Sequence, residues 1–518
     1  MTQPLPREAI VAVIGAGAMG AGIAQVAALA GHPVRLFDTR MGAAESARDA
    51  LGGTLASLAA RGKLTQDAAQ AAVARILPVD ALADCVSAAL VIEAIVEDLA
   101  AKRALFAELE VIVASDAILA TNTSSLSVTA IAAGMTDAGR VVGMHFFNPA
   151  PVQPLVEVVS GLATRPAVAQ TIFATAAAWG KAPVHAASTP GFIVNRCARP
   201  FYAEGWRLLA ERAATAATID AVMRDAGGFR MGPFELMDLI GHDVNLAVTT
   251  SVWQAYHYDP RYAPSVLQRE LVAAGFLGRK SGRGIYEHGE GAAPAPASEP
   301  AHAAPARVAV RGALGLAAAL AERLAQGGVA VRLAPAHPAF PDGVVDIDGA
   351  LLALTDGRTA TARAKALQVP ELVVFDLAAD YAACTRLALA PADLCSDAGW
   401  ARAAAAVQAA GIAVARFDDV AGLAVMRTVA MLANEAADAV VQGIASPADV
   451  DVAMRKGVNY PRGPLAWADA IGVARVRDVL ANLAAHYGED RYRTSPLIGR
   501  RCASGAPLVG ARSAEGMS

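Results

Sequence analysis

Cysteine is scarce and scattered: the chain holds five, Cys85, Cys197, Cys384, Cys395 and Cys502, in 518 residues. No two form a CxxC pair. That spacing excludes a disulfide framework and a structural zinc site, and it makes a reducing cytoplasm the expected compartment. An excess of one charge is also lacking, with 44 Lys+Arg against 48 Asp+Glu and a net charge of −4. A basic footprint for nucleic acid is therefore absent. Mean hydropathy is +0.39, yet no run of about 18 uncharged apolar residues reads as a membrane span. The hydropathy comes largely from alanine. The first residues lack a basic stretch followed by an apolar one, so no signal peptide is expected. With 45 Gly and 28 Pro the chain is neither collagenous nor disordered. At about 150 residues per domain, its length suggests three or four domains.

What is present begins at Ile10–Ile14, an apolar run fit for a buried parallel strand. Gly15, Gly17 and Gly20 follow in GxGxxG spacing, then a helical stretch from Met19 to about Ala30, a second strand at Val34–Phe37, and Asp38. Each piece has a task in holding a dinucleotide. Gly15 makes the tight turn, Gly17 admits the pyrophosphate, and Gly20 lets helix and strand pack closely. Asp38 would accept hydrogen bonds from the adenosine ribose and repel a 2′-phosphate, which favours NAD over NADP. Arg40 nearby pulls weakly the other way.

Further strands are expected at Leu90–Ile95, Ile118–Thr121, Val141–His145 and Leu155–Val159. Helices are expected at Ile193–Leu209, Thr218–Arg224 and Leu236–Val248. Residues 289–306, rich in Ala and Pro, read as a semi-extended linker. After it the chain repeats itself. A constant shift of 231 aligns Gly191 with Gly422, Arg196 with Arg427, Glu204 with Glu435, Asp220 with Asp451 and Gly232-Pro233 with Gly463-Pro464. A shift of 297 places Val11-Ala-Val13 on Val308-Ala-Val310 and Val34-Arg-Leu36 on Val331-Arg-Leu333. The second copy is thus 66 residues shorter between the two matches. Leu314, Ala317 and Pro335 stand where the first copy has Gly17, Gly20 and Asp38.

The segment His145-Phe-Phe-Asn148-Pro-Ala-Pro-Val-Gln-Pro-Leu-Val-Glu157 follows an apolar strand, at the carboxyl edge where open α/β sheets bind ligands. Its prolines make a rigid loop that could return Glu157 to His145. In isolation, a histidine beside aromatics is more often a satisfied core residue, and Glu157 is as readily a solvent-facing strand residue.

Taken in order, Gly15-Ala-Gly-Ala-Met-Gly20, Val91-Ile-Glu-Ala-Ile-Val-Glu97, Asn122-Thr-Ser-Ser125, His145-Phe-Phe-Asn-Pro149, Pro190-Gly-Phe-Ile-Val-Asn-Arg196 and Gly232-Pro-Phe-Glu-Leu-Met-Asp238 resemble the L-3-hydroxyacyl-CoA dehydrogenase family. Residues 8–288 span the family's single-copy enzyme. The longer, two-copy length is similar to a bacterial branch that oxidises 3-hydroxyadipyl-CoA in phenylacetate catabolism. 3-Hydroxybutyryl-CoA oxidation, a sugar-acid dehydrogenase and a non-catalytic, crystallin-like relative are the alternatives.

The resemblance implies a Rossmann-type α/β dinucleotide-binding domain at 1–187 and an all-α domain at 188–288. After the linker come a degenerate Rossmann-like domain at 307–420 and a second helical domain at 421–518. It implies NAD as cofactor and an acyl-CoA partner, with no nucleic acid and no membrane. His145 would be the general base and Glu157 would orient it. Ser124 and Asn195 would hold the reacting oxygen and the thioester end. Glu97, Lys102, Asn148 and Lys280 would touch NAD, with Lys102 also near CoA. The remaining CoA contacts would fall around Thr54 to Lys63, where this chain has fewer basic residues. The second copy, with Met426 in place of Asn195, is expected to be silent, and its helices to form an internal pseudo-dimer. A homodimer is also allowed. Arg165, Arg199, Arg207 and Arg230 are the cations that could meet a distal carboxylate, and the sequence does not choose among them.

Overall fold

A computed structural model describes residues 3–289, 294–340 and 342–509. The chain forms two compact units, Met1–Arg196 with Gln442–Val458, and Cys197–Val441 with Asn459–Ser518. Among the described residues no helix is long and apolar enough to cross a membrane.

The first unit is built on an eight-stranded sheet. Its strands are β1 (Ile10–Ile14), β2 (Val34–Phe37), β3 (Ile76–Val79), β4 (Ala88–Glu93), β5 (Ile118–Thr121), β6 (Val141–Phe146), β7 (Leu155–Ser160) and β8 (Ala182–Ala187). Their order is β3-β2-β1-β4-β5-β6-β7-β8, with all pairs parallel except β6 with β7. The central strands are apolar on both faces, as helix-covered parallel strands must be. β4 starts and ends two residues earlier than expected. Glu93 takes the Ile95 N–H at 2.8 Å with its own side chain, which turns the chain off the ladder. β3 and β8 are not among the strands expected from the sequence. Both are edge strands, and both carry a proline (Pro78 and Pro183), which a sheet tolerates only where no ladder donor is needed.

The second unit holds a seven-stranded sheet of β9 (Arg307–Arg311), β10 (Ala330–Ala334), β11 (Val344–Ile347), β12 (Ala350–Leu354), β13 (Leu372–Phe375), β14 (Arg386–Pro391) and β15 (Ala413–Arg416). Its order is β10-β9-β11-β12-β13-β14-β15. The pairing repeats that of the first copy. Val11 pairs with Val34 and Val13 with Leu36; Val308 pairs with Val331 and Val310 with Leu333. The deletion falls between β10 and β12. There the helices Ala43–Ala60 and Gln66–Arg75 have no counterpart, and β11–β12 is an antiparallel hairpin turning at Asp348-Gly349, both at positive φ.

Two expected helices are interrupted. Ile193–Leu209 resolves into Val194–Cys197 and Arg199–Ala210, because Pro200 can only sit in the first turn of a new helix. In the second copy Met431 stands at that position, and the helix Val425–Val441 runs unbroken. Leu236–Val248 is likewise two helices, Pro233–Ile240 and His242–Ala255, parted at Gly241 with φ +101°. Part of the linker, 290–293, lies outside the described residues; from 294 on it is pinned rather than loose. Ala297 N donates to Thr218 Oγ1 at 2.9 Å, Glu299 N to Val414 O at 2.8 Å, and Trp400 Nε1 to Glu299 Oε1 at 2.8 Å.

The two copies pack reciprocally. In the first unit Ala187 N donates to Ile444 O at 2.7 Å. In the second, Asp418 N donates to Ala213 O at 2.8 Å, which is the same bond with both residues displaced by 231. Glu204 and Glu435, equivalent and fully buried, each accept from a tyrosine of the opposite copy, Tyr492 at 3.0 Å and Tyr262 at 2.6 Å. Arg427 Nε donates to Glu204 at 2.6 Å, and Arg261 Nη1 donates to Glu435 at 3.1 Å.

Candidate active site

The glycine turn lies between β1 and the helix Ala18–Ala30. Gly15 has φ +104°, and a Cβ there would meet Ala94 O at 2.5 Å. A Cβ on Gly20 would meet Gly15 O at 1.7 Å. The protein itself requires both glycines. At Gly17 a Cβ would meet nothing within 4 Å, so the fold does not need this glycine, and the bare backbone there suits an approaching pyrophosphate. Gly17 caps a helix whose first turn has no acidic residue, which leaves its amides and positive dipole end to an anion. Asp38, just past β2, accepts from Ala16 N at 2.8 Å and from both sides of the Arg40 guanidinium, at 3.0 and 3.1 Å. The Arg40 fork, aided by the backbone donors, pulls the Asp38 carboxyl down to about 2, so it is charged at any physiological pH. The residues present fit NAD.

His145 and Glu157 stand directly opposite each other in the antiparallel β6–β7 pair. Nδ1 of His145 lies 2.7 Å from Glu157 Oε2. Glu157 is fully buried, and its other oxygen accepts from the N–H groups of Ile193 at 3.1 Å and Val194 at 2.9 Å. Strand pairing and a helix start thus fix the carboxylate, and the carboxylate fixes the ring. Phe147 and Phe192 flank the imidazole at 4.5 and 5.8 Å between centroids. Nε2 has no partner among the described residues. Asn195 Nδ2 reaches the Ser124 carbonyl at 3.5 Å, which links two more of the expected residues.

Glu97 organises the Asn122–Ser125 loop. It accepts from Thr123 Oγ1 at 2.6 Å, Ser124 N at 3.0 Å and Ser125 N at 3.1 Å. Burial pushes its carboxyl up, but those hydrogen bonds and the Lys102 charge outweigh it and hold it below the usual range. Lys102 is buried, with Nζ 2.6 Å from Glu93 and 3.2 Å from Glu97. Glu93, a site residue beyond those expected from the sequence, also accepts from Thr121 Oγ1 at 2.7 Å. An ionisable residue inside the apolar run Leu90–Ile95 was the signal for it. Asn148 is exposed in the loop after β6. Lys280 lies in the second unit, paired with Asp243 at 2.6 Å.

The equivalent place in the second copy has been rebuilt. The shift of 231 puts Asp376 at His145 and Ala388 at Glu157, and Asp376 N still bonds to Ala388 O at 3.0 Å. Asp376 caps the same helix start, accepting from Ala424, Val425 and Met426 N–H groups at 2.7–2.9 Å. One carboxylate thus takes over the structural half of the pair, and no imidazole remains. Burial raises the Asp376 carboxyl from 3.8 to about 6, so its charging opposes folding as pH rises through that window. Relative to Asp376→Asn, wild-type stability is expected to fall between pH 4 and 6 by on the order of 2–3 kcal/mol. Urea midpoints measured across that range test this.

The 3-hydroxyacyl-CoA dehydrogenase NAD-binding domain model matches residues 10–189, and the C-terminal domain model of the same family matches 191–288 and again 422–517. A 3-hydroxybutyryl-CoA dehydrogenase reduced Rossmann-fold domain matches 352–420. The chain is 44% identical to 3-hydroxyadipyl-CoA dehydrogenase of Escherichia coli K12, over 95% of this chain and 97% of that one. Probable 3-hydroxybutyryl-CoA dehydrogenase of Bacillus subtilis is 42% identical over 54% of this chain and 96% of its own length. A crystal structure of 3-hydroxybutyryl-CoA dehydrogenase from E. coli K12 superposes with a TM-score of 0.87 at 44% identity, covering 96% of this chain and 99% of that one. The chain belongs to the 3-hydroxyacyl-CoA dehydrogenase family. Its reaction is the NAD-dependent oxidation of a 3-hydroxyacyl-CoA thioester.

Proposed function

We propose that the chain oxidises (3S)-3-hydroxyadipyl-CoA to its 3-oxo thioester, in phenylacetate catabolism, at one site per chain. The observation that carries the chemistry is the buried His145–Glu157 pair with Nε2 left open. The near full-length likeness to an E. coli protein named for 3-hydroxyadipyl-CoA supports the substrate. His145 Nε2 takes the proton of the 3-hydroxyl. Glu157 holds the ring and stabilises the imidazolium. Ser124 and Asn195 hold the substrate oxygens. NAD, when bound, accepts the hydride from C3. Gly15, Gly17, Gly20 and Asp38 would seat it, with Glu97, Lys102 and Asn148 as further contacts; for Lys280 only the family resemblance supports such a role. The name of the E. coli structure makes 3-hydroxybutyryl-CoA the competing substrate. Comparing NADH formation with 3-hydroxyadipyl-CoA, 3-hydroxybutyryl-CoA and gulonate tests the reading. The first is expected to show the highest kcat/KM, and a higher value for either of the others would sink it.

Asp38→Ser is expected to narrow the preference for NAD over NADP by about 10- to 100-fold in kcat/KM, because it removes the charge that repels a 2′-phosphate. An unchanged ratio would remove Asp38 from the cofactor site. The reciprocal bonds between copies support an internal pseudo-dimer, with the second copy serving as the structural partner. Five cysteines, few and widely scattered, are in keeping with a cytoplasmic protein.

A further inference from the structure

Asp38 has no acceptor position left for a ribose. A carboxylate offers about four lone-pair positions on its two oxygens. At Asp38 all of them are taken. Oδ2 accepts from Ala16 N at 2.8 Å and from Arg40 Nη2 at 3.1 Å, and Oδ1 accepts from Arg40 N at 2.9 Å and Arg40 Nε at 3.0 Å. Two of these donors are backbone groups, in the glycine turn and just past β2, and they stay with the fold. The other two belong to one guanidinium. The Arg40 side chain is 71% exposed and has no ion-pair partner but Asp38 among the described residues. Asp38, with that guanidinium laid against it, is 9% exposed.

We propose that Arg40 is a specificity-determining residue: it occupies Asp38 in the cofactor-free protein, gives way to the two hydroxyls of the NAD adenosine ribose, and supplies the cation that a 2′-phosphate would meet. This rests on the assignment of Asp38 to the ribose made above. The exchange is balanced in donors, since two ribose O–H groups replace two guanidinium N–H groups. It is also cheap. An exposed ion pair is worth little, because water solvates both partners and the long side chain regains its freedom on release. Arg40 follows Asp38 by two residues, so the released guanidinium stays within reach of the same ribose edge. Its planar fork matches a phosphate as well as a carboxylate. The chain thus carries the acid that selects NAD and, paired to it, a cation that softens the selection. Both compete through the same two oxygens.

Kd values for NAD and NADP, from fluorescence titration without substrate, test this in four proteins: wild type, Arg40→Ala, Asp38→Ser and the double variant. Arg40→Ala is expected to bind NAD about 2- to 5-fold more tightly, because nothing must leave Asp38 first, and NADP about 10-fold more weakly, because the cation is gone. The ratio of the two Kd values then widens about 20- to 50-fold. In the Asp38→Ser background the gain in NAD affinity should vanish, since Arg40 has no carboxylate to occupy there. NAD affinity that is unchanged or weaker in Arg40→Ala, or an equal gain in both backgrounds, overturns the proposal. A ratio that Asp38→Ser alone leaves unchanged removes Asp38 from the cofactor site, and the proposal falls with that reading.

Discussion

His145→Gln is expected to lower kcat for 3-hydroxyacyl-CoA oxidation about a thousandfold while leaving NAD affinity within about twofold. Glutamine can fill the place between Phe147 and Phe192 and still donate to Glu157, but it cannot accept the hydroxyl proton. The cofactor turn is built from β1, β2 and the helix Ala18–Ala30, none of which contains His145. Binding and chemistry should therefore separate. NADH formation reads the first quantity and a fluorescence titration with NAD the second. Near-normal turnover by the variant would refute the role of His145, and a parallel loss of NAD binding would show a folding defect instead.

Glu204→Ala is expected to destabilise the second unit by about 3–5 kcal/mol, since breaking a buried ion pair strands its partner. Arg427 is fully buried and donates Nε to Glu204 at 2.6 Å. Its other nitrogens reach Glu211 at 3.0 Å and the hydroxyls of Tyr487 and Tyr492 at 2.8 Å. The truncation leaves Arg427 Nε, Arg207 and the Tyr492 hydroxyl without their shared acceptor. Burial pushes the Glu204 carboxyl up, but Arg207 and Arg427 outweigh it and hold it below 4.5. Its contribution is therefore present above that pH and lost as pH falls below it. Urea denaturation should show the full loss near neutral pH and a smaller difference in acid. A loss under about 1 kcal/mol would mean that the pairing of the copies does not depend on this cluster.

The sequence made the first copy's central strands legible because buried parallel strands read as apolar runs, and Ile10–Ile14 and Ile118–Thr121 match to the residue. The edge strands β3 and β8 were hidden because their prolines break the pattern an edge does not need. The breaks at Pro200 and Gly241 were hidden for the opposite reason, since helical periodicity continues on both sides. At the site, the twelve-residue spacing of His145 and Glu157 was visible. The cross-strand register that joins them was not, nor were the Ile193 and Val194 N–H groups that hold Glu157 from behind. Asp376 was unreadable because its role exists only through the rebuilt sheet.

The central claim, one working copy and one silent copy, is tested most directly by counting NAD sites with titration calorimetry. One tight equivalent per chain is predicted, held by the turn at Gly15–Gly20. Two equivalent tight sites per chain would contradict it.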